Sequence, residues 1–281
     1  MSTFAGTRLV RGRAELAEAR RAMPGTVGLV PTMGALHAGH LANIESARRR
    51  AEHTVVSIFV NPLQFDQAAD LARYPRSLAA DLALCEQAGV DLVWAPDVDT
   101  VYRGGQPEVR VAAGPLADQL EGPSRPGHFD GVLTVVTKLF ASIRPTLACF
   151  GEKDYQQLTL IRRLVLDLDL AVEVVGVPIV RDPDGLALSS RNVFLSAAQR
   201  AQALSLSRAL AAGRAAATSP AAALAAARAV LDQATGVQVE YLALRDPQLG
   251  PAPSHGAARL LVAARLGSVR LIDNTAVELA P

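Results

Sequence analysis

The chain has 281 residues, 50% of them hydrophobic, and its 28 basic and 27 acidic residues give a formal net charge of +1. This length supports a sizeable core in one or two domains, while the balanced charge argues against nucleic acid or an anionic membrane surface as a partner. The two cysteines form no CxxC pair, so we expect neither a zinc site nor a disulfide framework. No run of about 18 apolar residues predicts a membrane span, and residues 1–13 lack the apolar run of a secretory signal. We therefore expect a cytoplasmic protein.

Short apolar runs alternate with amphipathic segments through the first two thirds of the chain. Pro31 is expected to stop the first strand, and Gly89 to end the second helix. The alternation predicts a Rossmann-like parallel α/β sheet whose ligands lie beyond the carboxyl ends of its strands. The predicted strands are residues 27–30, 54–60, 90–94, 147–150 and 171–177, and the predicted helices are residues 41–52, 77–88, 132–143 and 155–166.

The pattern changes after about residue 179. An Ala-rich segment, residues 197–233, is predicted to be helical with a break near residues 218–220, and no role beyond packing follows from its composition. We therefore expect a Rossmann-like domain over residues 1–179 and a smaller α+β domain over residues 180–281. The short strands predicted in this second domain are residues 237–244, 259–264 and 268–273.

The sequence Pro-Thr-Met-Gly-Ala-Leu-His-Ala-Gly-His, residues 31–40, follows the first strand and opens a helix. Helix N-termini bind phosphate because their free N–H groups and partial positive charge point at the ligand. His37 and His40 would share one face of this helix, and Gly34 and Gly39 allow a ligand to approach the backbone closely. A loop with two incidental histidines is the alternative, but the strand, the glycines and the helix together favour a triphosphate site.

Polar residues also follow two other predicted strands. Asn61 and Gln64 come after the second strand, where side-chain amides would recognise a hydroxyl or carboxylate, although an ordinary turn explains them equally well. Residues 151–157, Gly-Glu-Lys-Asp-Tyr-Gln-Gln, follow the fourth strand. Lys153 suits phosphate oxygens and Asp154 suits ribose hydroxyls. A polar helix start is the alternative, but the position at the carboxyl end of a strand favours a ligand.

Two loops complete the set of candidate segments. Residues 188–192, Leu-Ser-Ser-Arg-Asn, offer two hydroxyls and a guanidinium, which suit phosphate, although Ser-Ser-Arg is common in surface loops. Residues 120–129 are rich in glycine and proline, and Arg125 and His128 in this loop would close over a polar ligand. A solvated connection explains the second loop nearly as well.

Four segments, in this order, resemble those of a known family. PTMGALHAGH (31–40), VSIFVNPLQF (56–65), FGEKDYQQ (150–157) and SSRN (189–192) resemble the pantoate–β-alanine ligase, or pantothenate synthetase, family and, more generally, the HxGH nucleotidyltransferase superfamily. The resemblance covers about residues 27–195, with weaker agreement to about residue 277. It implies a Rossmann-like enzyme that uses ATP to activate pantoate as an acyl-adenylate and transfers it to β-alanine, in a cytoplasmic homodimer.

The resemblance also implies roles for individual residues, with His40 as the proton donor to the departing pyrophosphate. The implied catalytic residues are His37, His40, Lys153 and Arg191. The implied contacts to pantoate and β-alanine come from Asn61, Gln64, Tyr74, His128 and Gln157. The implied contacts to ATP come from Met33, Gly34, Ala35, Leu36, His37, Ala38, Gly39, His40, Gly151, Glu152, Lys153, Asp154, Val180, Leu188, Ser189, Ser190 and Arg191.

Mg²⁺ is expected to accompany ATP. Asp81 is the candidate protein ligand, but Ala79 and Ala80 stand where some relatives have acidic neighbours. Mg²⁺ would therefore be held mainly by ATP oxygens and water. Leu188 replaces the methionine usual in the family, a near-isosteric apolar exchange that the loop should tolerate.

Three other functions fit parts of the pattern. A nucleotidylyltransferase would share the HxGH helix, but it would neither need the pair Gln64 and Gln157 for a small acid nor release AMP only when an amine is present. A non-catalytic nucleotide-binding module would keep its ATP-dependent function without His40. A Rossmann dehydrogenase is disfavoured because no GxGxxG follows the first strand.

Overall fold

The computed structural model describes residues 3–4, 6–66 and 68–281, so residues 1–13, where no secretory signal is expected, lie partly outside the described residues. The chain divides into two compact units. The first unit comprises the chain up to Glu152 together with Gln156–Pro178, and the second comprises Lys153–Tyr155 and Ile179–Pro281. The tripeptide at residues 153–155 therefore belongs to the second unit, although the first unit flanks it in sequence.

The first unit contains a sheet of seven strands among the described residues, in the order β1-β2-β5-β4-β3-β6-β7. Strands β2 to β7 run parallel, and β1 pairs antiparallel with β2 at the edge. The predicted α/β class is confirmed, while the edge strands β1 and β2 were not predicted. The strands are β1 (Thr3–Phe4), β2 (Thr7–Val10), β3 (Val27–Thr32), β4 (His53–Ile58), β5 (Leu92–Trp94), β6 (Leu147–Gly151) and β7 (Glu173–Val177).

Helices connect these strands and cover the apolar sheet. Val30 of β3, Val56 of β4 and Val93 of β5 are fully buried in one cluster with Ile44 and Leu82 from two of the helices, as expected for a parallel sheet. None of the described helices is long and apolar enough to cross a membrane. The helices are α1 (Arg13–Arg21), α2 (Ala38–Arg48), α3 (Ala68–Arg73), α4 (Leu78–Gln87), α5 (Val98–Val101), α6 (His128–Ile143) and α7 (Tyr155–Asp167).

Strand β3 continues through Pro31, so the prediction that this proline stops the strand is wrong. The N–H of Phe59 donates to the carbonyl of Thr32 over 3.0 Å, which directs the backbone of Thr32 toward β4. Because successive residues of a strand face opposite neighbours, the nitrogen of Pro31 faces the β6 side. Pairing with β6 ends at Leu29, so no ladder bond is lost and proline is tolerated.

The second unit packs two helices on an antiparallel sheet with the strand order β10-β9-β8. The Ala-rich segment breaks where predicted, because Ser219 caps the second helix by accepting from the N–H of Ala222 and Pro220 occupies its first position. Small residues let the layers approach closely: a Cβ on Gly213 would lie 2.5 Å from the side chain of Leu260. The elements are α8 (Ala197–Ala215), α9 (Pro220–Asp232), β8 (Gln238–Arg245), β9 (Gly256–Leu266) and β10 (Val269–Leu279).

Candidate active site

A buried carboxylate shapes the loop that follows β3. Asp81 on α4 is 2% exposed, and its two oxygens accept from the N–H groups of Ala35 and Leu36 over 3.1 and 2.8 Å. Ala35 has a left-handed φ of 51° and Gly34 a φ of 83°. A Cβ on Gly34 would lie 2.8 Å from the Asp81 carboxylate, so only glycine fits here. The carboxylate thus holds the loop in a conformation that its residues would otherwise disfavour.

The same contacts bear on the expected metal site. Both oxygens of Asp81 are occupied by backbone N–H groups. Within the part of the chain that the structure describes, no group of three or more His, Cys, Asp or Glu side chains is arranged to hold a metal ion. These residues do not fit a resident metal, and the role of Asp81 as a ligand stays a prediction.

His37 and His40 lie together at the N-terminus of α2. His37 is the N-cap, and its Nδ1 accepts from the N–H of Gly39 over 3.1 Å. The Nδ1 of His40 accepts from the N–H of His37 over 3.2 Å, and the ring centroids are 4.2 Å apart. A Cβ on Gly39 would meet the His37 ring at 2.9 Å, so glycine makes room for the cap. With Nδ1 as the acceptor, each neutral ring carries its proton on Nε2 and can donate it.

The turn after β4 is held by a buried amide. Asn61 is 1% exposed and caps the 3-10 turn Pro62–Gln64 by accepting from the N–H of Leu63 over 3.2 Å. The hydroxyl of Tyr102 donates to the same Asn61 Oδ1 over 2.8 Å, and Asn61 Nδ2 donates to the carbonyl of Gly131 over 3.0 Å. Burial raises the pKa of Tyr102, so its hydroxyl stays protonated and keeps donating.

These bonds fix the orientation of the Gln64 side chain. Asn61 Nδ2 donates to Gln64 Oε1 over 3.1 Å, so the acceptor end of this amide is already used. The donor end, Nε2, lies 3.0 Å from the sulfur of Met33, which is a weak acceptor. Gln64 is therefore set to offer its N–H groups to an acceptor atom, such as an oxygen of a small acid.

His128 and Arg125 hold this turn from its backbone. His128 Nδ1 lies 2.8 Å from the carbonyl of Gln64, so it carries the proton in this contact, and Arg125 donates to His128 Nε2 over 3.0 Å. Arg125 also reaches the Gln64 carbonyl at 3.4 Å. Loop 120–129 thus packs on the turn through these two residues. Contact between His128 and an acid stays a prediction.

The remaining predicted residues of the first unit lie after α3, at the end of β6 and in α7. Tyr74 packs edge-on against Phe65, with 5.7 Å between ring centroids. Gly151 ends β6, and Glu152 starts a 3-10 turn after it. Gln157 is half-buried in the first turn of α7.

The neighbouring Gln156 has a structural role. It is buried, its Oε1 accepts from the N–H of Glu121 over 3.0 Å, and its Nε2 donates to the carbonyls of Leu116 and Gln119 over 2.8 Å each. These bonds all go to backbone groups of one loop. The two glutamines of the motif therefore differ: Gln156 holds a loop, while the contact of Gln157 with a ligand stays a prediction.

In the second unit, Lys153 and Asp154 form a polar pair. Lys153 Nζ lies 3.7 Å from Asp154 Oδ1, and the lysine side chain is mostly covered while that of Asp154 is half exposed. The carbonyl of Lys153 accepts from Asn274 Nδ2 on β10 over 3.0 Å. The backbone of this motif is thus fixed, and the contact of the ammonium group with a ligand stays a prediction.

The predicted phosphate loop begins from a small hairpin in the second unit. Val180 accepts from the N–H of Leu188 over 3.0 Å, and Arg181 pairs with Ala187. Ser189 then caps the 3-10 turn Ser190–Phe194 by accepting from the N–H of Arg191 over 3.3 Å. The side chain of Arg191 is exposed. Two hydroxyl residues and one cation therefore lie on a short turn whose cap bond is local.

Sequence reasoning missed several residues that support the site. Tyr102 and Gly131 contact Asn61 from 41 and 70 positions away, and no local pattern marks them. Asn43, one turn after His40, is buried with its Oδ1 unbonded among the described residues, and a Cβ on Gly151 would lie 3.9 Å from its Nδ2. An asparagine within α2 was the signal available in sequence for Asn43, since asparagine has a low helix propensity.

Sequences of named relatives align with nearly the full length of this chain. The family model of pantoate–β-alanine ligases matches residues 7–276. A pantothenate synthetase of Salinispora arenicola is 59% identical over 279 residues, which are 98% of this chain and 99% of the relative. A pantothenate synthetase of Saccharopolyspora erythraea is 57% identical over 270 residues, which are 94% of this chain and 89% of the relative.

Solved structures give the same answer. The crystal structure of pantothenate synthetase from Thermus thermophilus matches with a TM-score of 0.91 at 50% identity and covers 98% of this chain and 100% of that chain. That of pantoate–β-alanine ligase from Francisella tularensis, complexed with beta-gamma ATP and beta-alanine, matches with a TM-score of 0.81 at 32% identity, covering 96% and 97% of the two chains. As its motifs predicted, the chain belongs to the pantoate–β-alanine ligase family.

Proposed function

We propose that this chain is an AMP-forming ligase that condenses pantoate with β-alanine to give pantothenate, on the route to coenzyme A. The observation that carries the proposal is the pairing, in one unit, of two histidines at the N-terminus of α2, whose Nδ1 atoms accept from backbone N–H groups, with a pre-oriented amide donor on Gln64. The first suits a polyphosphate and the second suits a small acid. The Francisella tularensis relative, complexed with beta-gamma ATP and beta-alanine, supports the same substrates.

In the first step, a carboxylate oxygen of pantoate attacks the α-phosphorus of ATP, and pyrophosphate leaves. Both reactants are anions, so this chain contributes mostly by positioning them and stabilising negative charge. His37 and His40 donate from Nε2 to phosphate oxygens, and His40 supplies a proton to the departing pyrophosphate. Gln64 and Gln157 hold the acid, with Asn61, Tyr74 and His128 around it.

The second unit carries further groups that suit phosphate and ribose. Lys153 and Arg191 supply positive charge, and the hydroxyls of Ser189 and Ser190 donate to phosphate oxygens. Asp154 accepts from the ribose, and Val180 and Leu188 contribute backbone groups and apolar contact. The backbone of residues 33–36, 38–39 and 151–152 completes the contacts to ATP.

In the second step, the neutral amine of β-alanine attacks the acyl carbon of the adenylate, and AMP leaves. Acyl-adenylates hydrolyse in water, so the site must exclude water between the two steps. Mg²⁺ enters as part of the substrate MgATP, because Asp81 already uses both oxygens on backbone N–H groups. This gives Asp81 the role of holding residues 33–36 against the nucleotide.

Two properties complete the proposal, namely a homodimer that forms through the first unit and a cytoplasmic location. The resemblance of the motifs to the family suggests the dimer, and the two free, buried cysteines agree with a reducing compartment. Sedimentation equilibrium across a range of protein concentrations tests the dimer. A single species of monomer mass at every concentration contradicts it.

The reaction is tested by incubating the purified protein with MgATP and pantoate, with and without β-alanine, and following pyrophosphate and AMP separately. A stoichiometric burst of pyrophosphate from the acid alone, followed by steady AMP release only after the amine is added, is expected for the two-step ligase. His40→Ala should lower the rate of pyrophosphate formation about 10²–10³-fold, as loss of one electrostatic donor typically does.

The same assay contradicts the proposal if a folded, ATP-binding protein releases no AMP with both substrates present. Pyrophosphate formation with a nucleotide or phosphorylated acceptor in place of pantoate would then favour a nucleotidylyltransferase. An unchanged rate in His40→Ala would remove this histidine from the chemistry.

A further inference from the structure

Two adjacent polar residues are buried in the sheet of the second unit. Asp273 and Asn274 on the edge strand β10 are 5% and 2% exposed, in a sheet whose other buried residues are mostly apolar. The Asn274 N–H also donates to Asp273 Oδ1 over 2.7 Å, so the pair is internally ordered. Burying a carboxylate and an amide is unfavourable unless each is fully bonded. Their partners therefore show what the pair is for.

Asn274 holds the backbone of the lysine motif. Its Nδ2 donates to the carbonyl of Lys153 over 3.0 Å, across 121 positions of sequence. Its Oδ1 accepts from Arg259 Nε over 2.7 Å, which fixes which end of the amide points at Lys153. The Arg259 guanidinium stacks on the ring of Tyr155 with its carbon 3.9 Å from the ring centroid. Residues 153–155 are thus held at two points by β9 and β10.

Asp273 holds the hairpin from which the phosphate loop begins. Its two oxygens accept from the two terminal nitrogens of Arg181 over 2.6 and 2.8 Å, a bidentate pair. Arg181 also donates to the carbonyl of Gly185 over 3.1 Å and pairs with Ala187. The base of the hairpin 181–187 is therefore fixed directly before residues 188–191.

We infer that Asp273 and Asn274 are positioning residues for the triphosphate. Asn274 fixes the backbone position of Lys153, and Asp273 fixes, through Arg181, the start of the 188–191 loop, so one dipeptide on β10 fixes the positions of both segments relative to each other. The inference rests on the proposed function, because it takes Lys153 and Arg191 as phosphate ligands. A buried ion pair by itself adds little to stability. Its value here is geometric, since two segments far apart in sequence must meet one ligand.

The two half-reactions separate positioning from folding. Adenylate formation from ATP and pantoate needs the triphosphate, whereas transfer from chemically prepared pantoyl adenylate to β-alanine does not. Asn274→Asp keeps the shape of the side chain but removes its donor to Lys153. We expect it to lower kcat/KM for ATP about 10–10²-fold, the scale of a misplacement of order 1 Å. The transfer half-reaction and the KM for pantoate should stay at wild-type values.

A second variant tests the contact between Asp273 and Arg181. Arg181→Lys keeps the positive charge but loses the bidentate fork to Asp273, and the same split between the half-reactions is expected with a smaller loss. Glu240→Gln is the matched control. Glu240 bonds Arg265 and Arg270 on the same sheet, but none of these bonds reaches Lys153 or the hairpin 181–187. It should leave both half-reactions unchanged.

The outcomes are distinct. Equal losses in both half-reactions, or no loss in either variant, overturn the inference while leaving the ligase activity intact. If Asn274→Asp does not fold, Arg181→Lys decides by the same criterion. A wild-type protein that forms no pantothenate from either starting point overturns the proposed function and the inference together.

Discussion

Two short 3-10 turns, Pro62–Gln64 and Ser190–Phe194, are built alike but held differently. Each is capped by the side chain of the residue before it: Asn61 accepts from the N–H two positions on, and Ser189 does the same. Beyond the cap, Asn61 is tied to Tyr102 and Gly131 from distant parts of the chain. Among the described residues, the second turn has one further side-chain bond, from Asn192 to the carbonyl of Ala187 over 3.1 Å.

Burial follows the same division. Asn61 and Gln64 are buried, whereas Val193 and Phe194 are 75% and 53% exposed. Similar local chemistry therefore gives a rigid turn where distant residues supply partners and an open one where they do not. This difference suits the proposed roles, since a small acid is best met by a fixed amide, while a loop that binds a triphosphate gains from admitting it first.

The largest effect is expected when the space beside the rigid turn, Pro62–Gln64, is filled. In Gly131→Ala the new Cβ would lie 2.2 Å from the carbonyl oxygen of Leu63, so α6 and the turn must separate. We expect kcat/KM for pantoate to fall about 10²-fold, because a shift of order 1 Å at a positioning group has that effect. Steady-state kinetics with each substrate varied in turn check this.

The binding of ATP measured by calorimetry serves as the internal control for Gly131→Ala and should not change. Thermal unfolding should show a loss of about 1–3 kcal/mol, typical of overpacking. A variant with a normal KM for pantoate would mean that the turn does not set the acid site.

The open turn is tested through its charge. Arg191→Ala should lower kcat/KM for ATP about 10–10²-fold, as loss of one electrostatic donor to a developing charge does. The free energy of unfolding should stay within about 0.5 kcal/mol, because the side chain is exposed. Arg208→Ala removes another exposed cation of the second unit and should change neither quantity. Equal kinetic losses in both variants would point to a general charge effect.

A smaller effect is expected when one hydroxyl is removed from the rigid turn. Tyr102→Phe keeps the buried ring but leaves Asn61 Oδ1 with the Leu63 N–H as its remaining partner among those described. Loss of one buried hydrogen bond costs about 1 kcal/mol, so the KM for pantoate should rise about fivefold. Thr137→Val, which removes a hydroxyl bonded to the carbonyl of Leu133 on the same α6, is the control. An unchanged KM in Tyr102→Phe would show that the bond from Tyr102 to Asn61 is not needed to orient Gln64.

The smallest expected effect is a difference in protease sensitivity between two phenylalanines, one directly after the first turn and one at the end of the second. Phe65 follows the first turn and packs on Tyr74, while Phe194 ends the second and is half exposed. Limited chymotrypsin digestion should cut after Phe194 before it cuts after Phe65, and MgATP should slow the first cut. Mass spectrometry of the early fragments identifies the site, and Phe194→Ala should abolish that fragment. Early cleavage after Phe65 would contradict the comparison.

The sequence alone was sufficient to predict the central strands, most of the long helices and the motifs, but not β1, β2 or the helices α1, α3 and α5. Apolar runs and caps mark β3, β4 and the helices, and the break at Pro220 follows from local preferences. What could not be predicted are bonds that only the folded chain creates. Tyr102 meets Asn61, and Asn274 meets Lys153, through contacts that span 41 and 121 positions. The bonds from the N–H groups of Ala35 and Leu36 to Asp81 also leave no mark in sequence, where Asp81 was considered only as a metal ligand, a role that stays a prediction.

Pro31 shows the opposite error. A local rule, that proline ends a strand, was applied where the pairing on one side had already ended. Whether a missing N–H matters depends on the neighbouring strand, which the local sequence does not describe. The prediction failed for lack of tertiary information and not for lack of a rule.

The tripeptide 153–155 has a consequence for recombination within the family. Its bonds to Asn274, Arg259 and Pro247 place it in the second unit, although it lies inside the gene segment that encodes the first. A chimaeric gene with one crossover near residue 178 would join this tripeptide from one parent to anchors from the other. Parents that differ at the anchor positions should then yield folded hybrids with impaired use of ATP. A second exchange covering residues 153–155 should restore it.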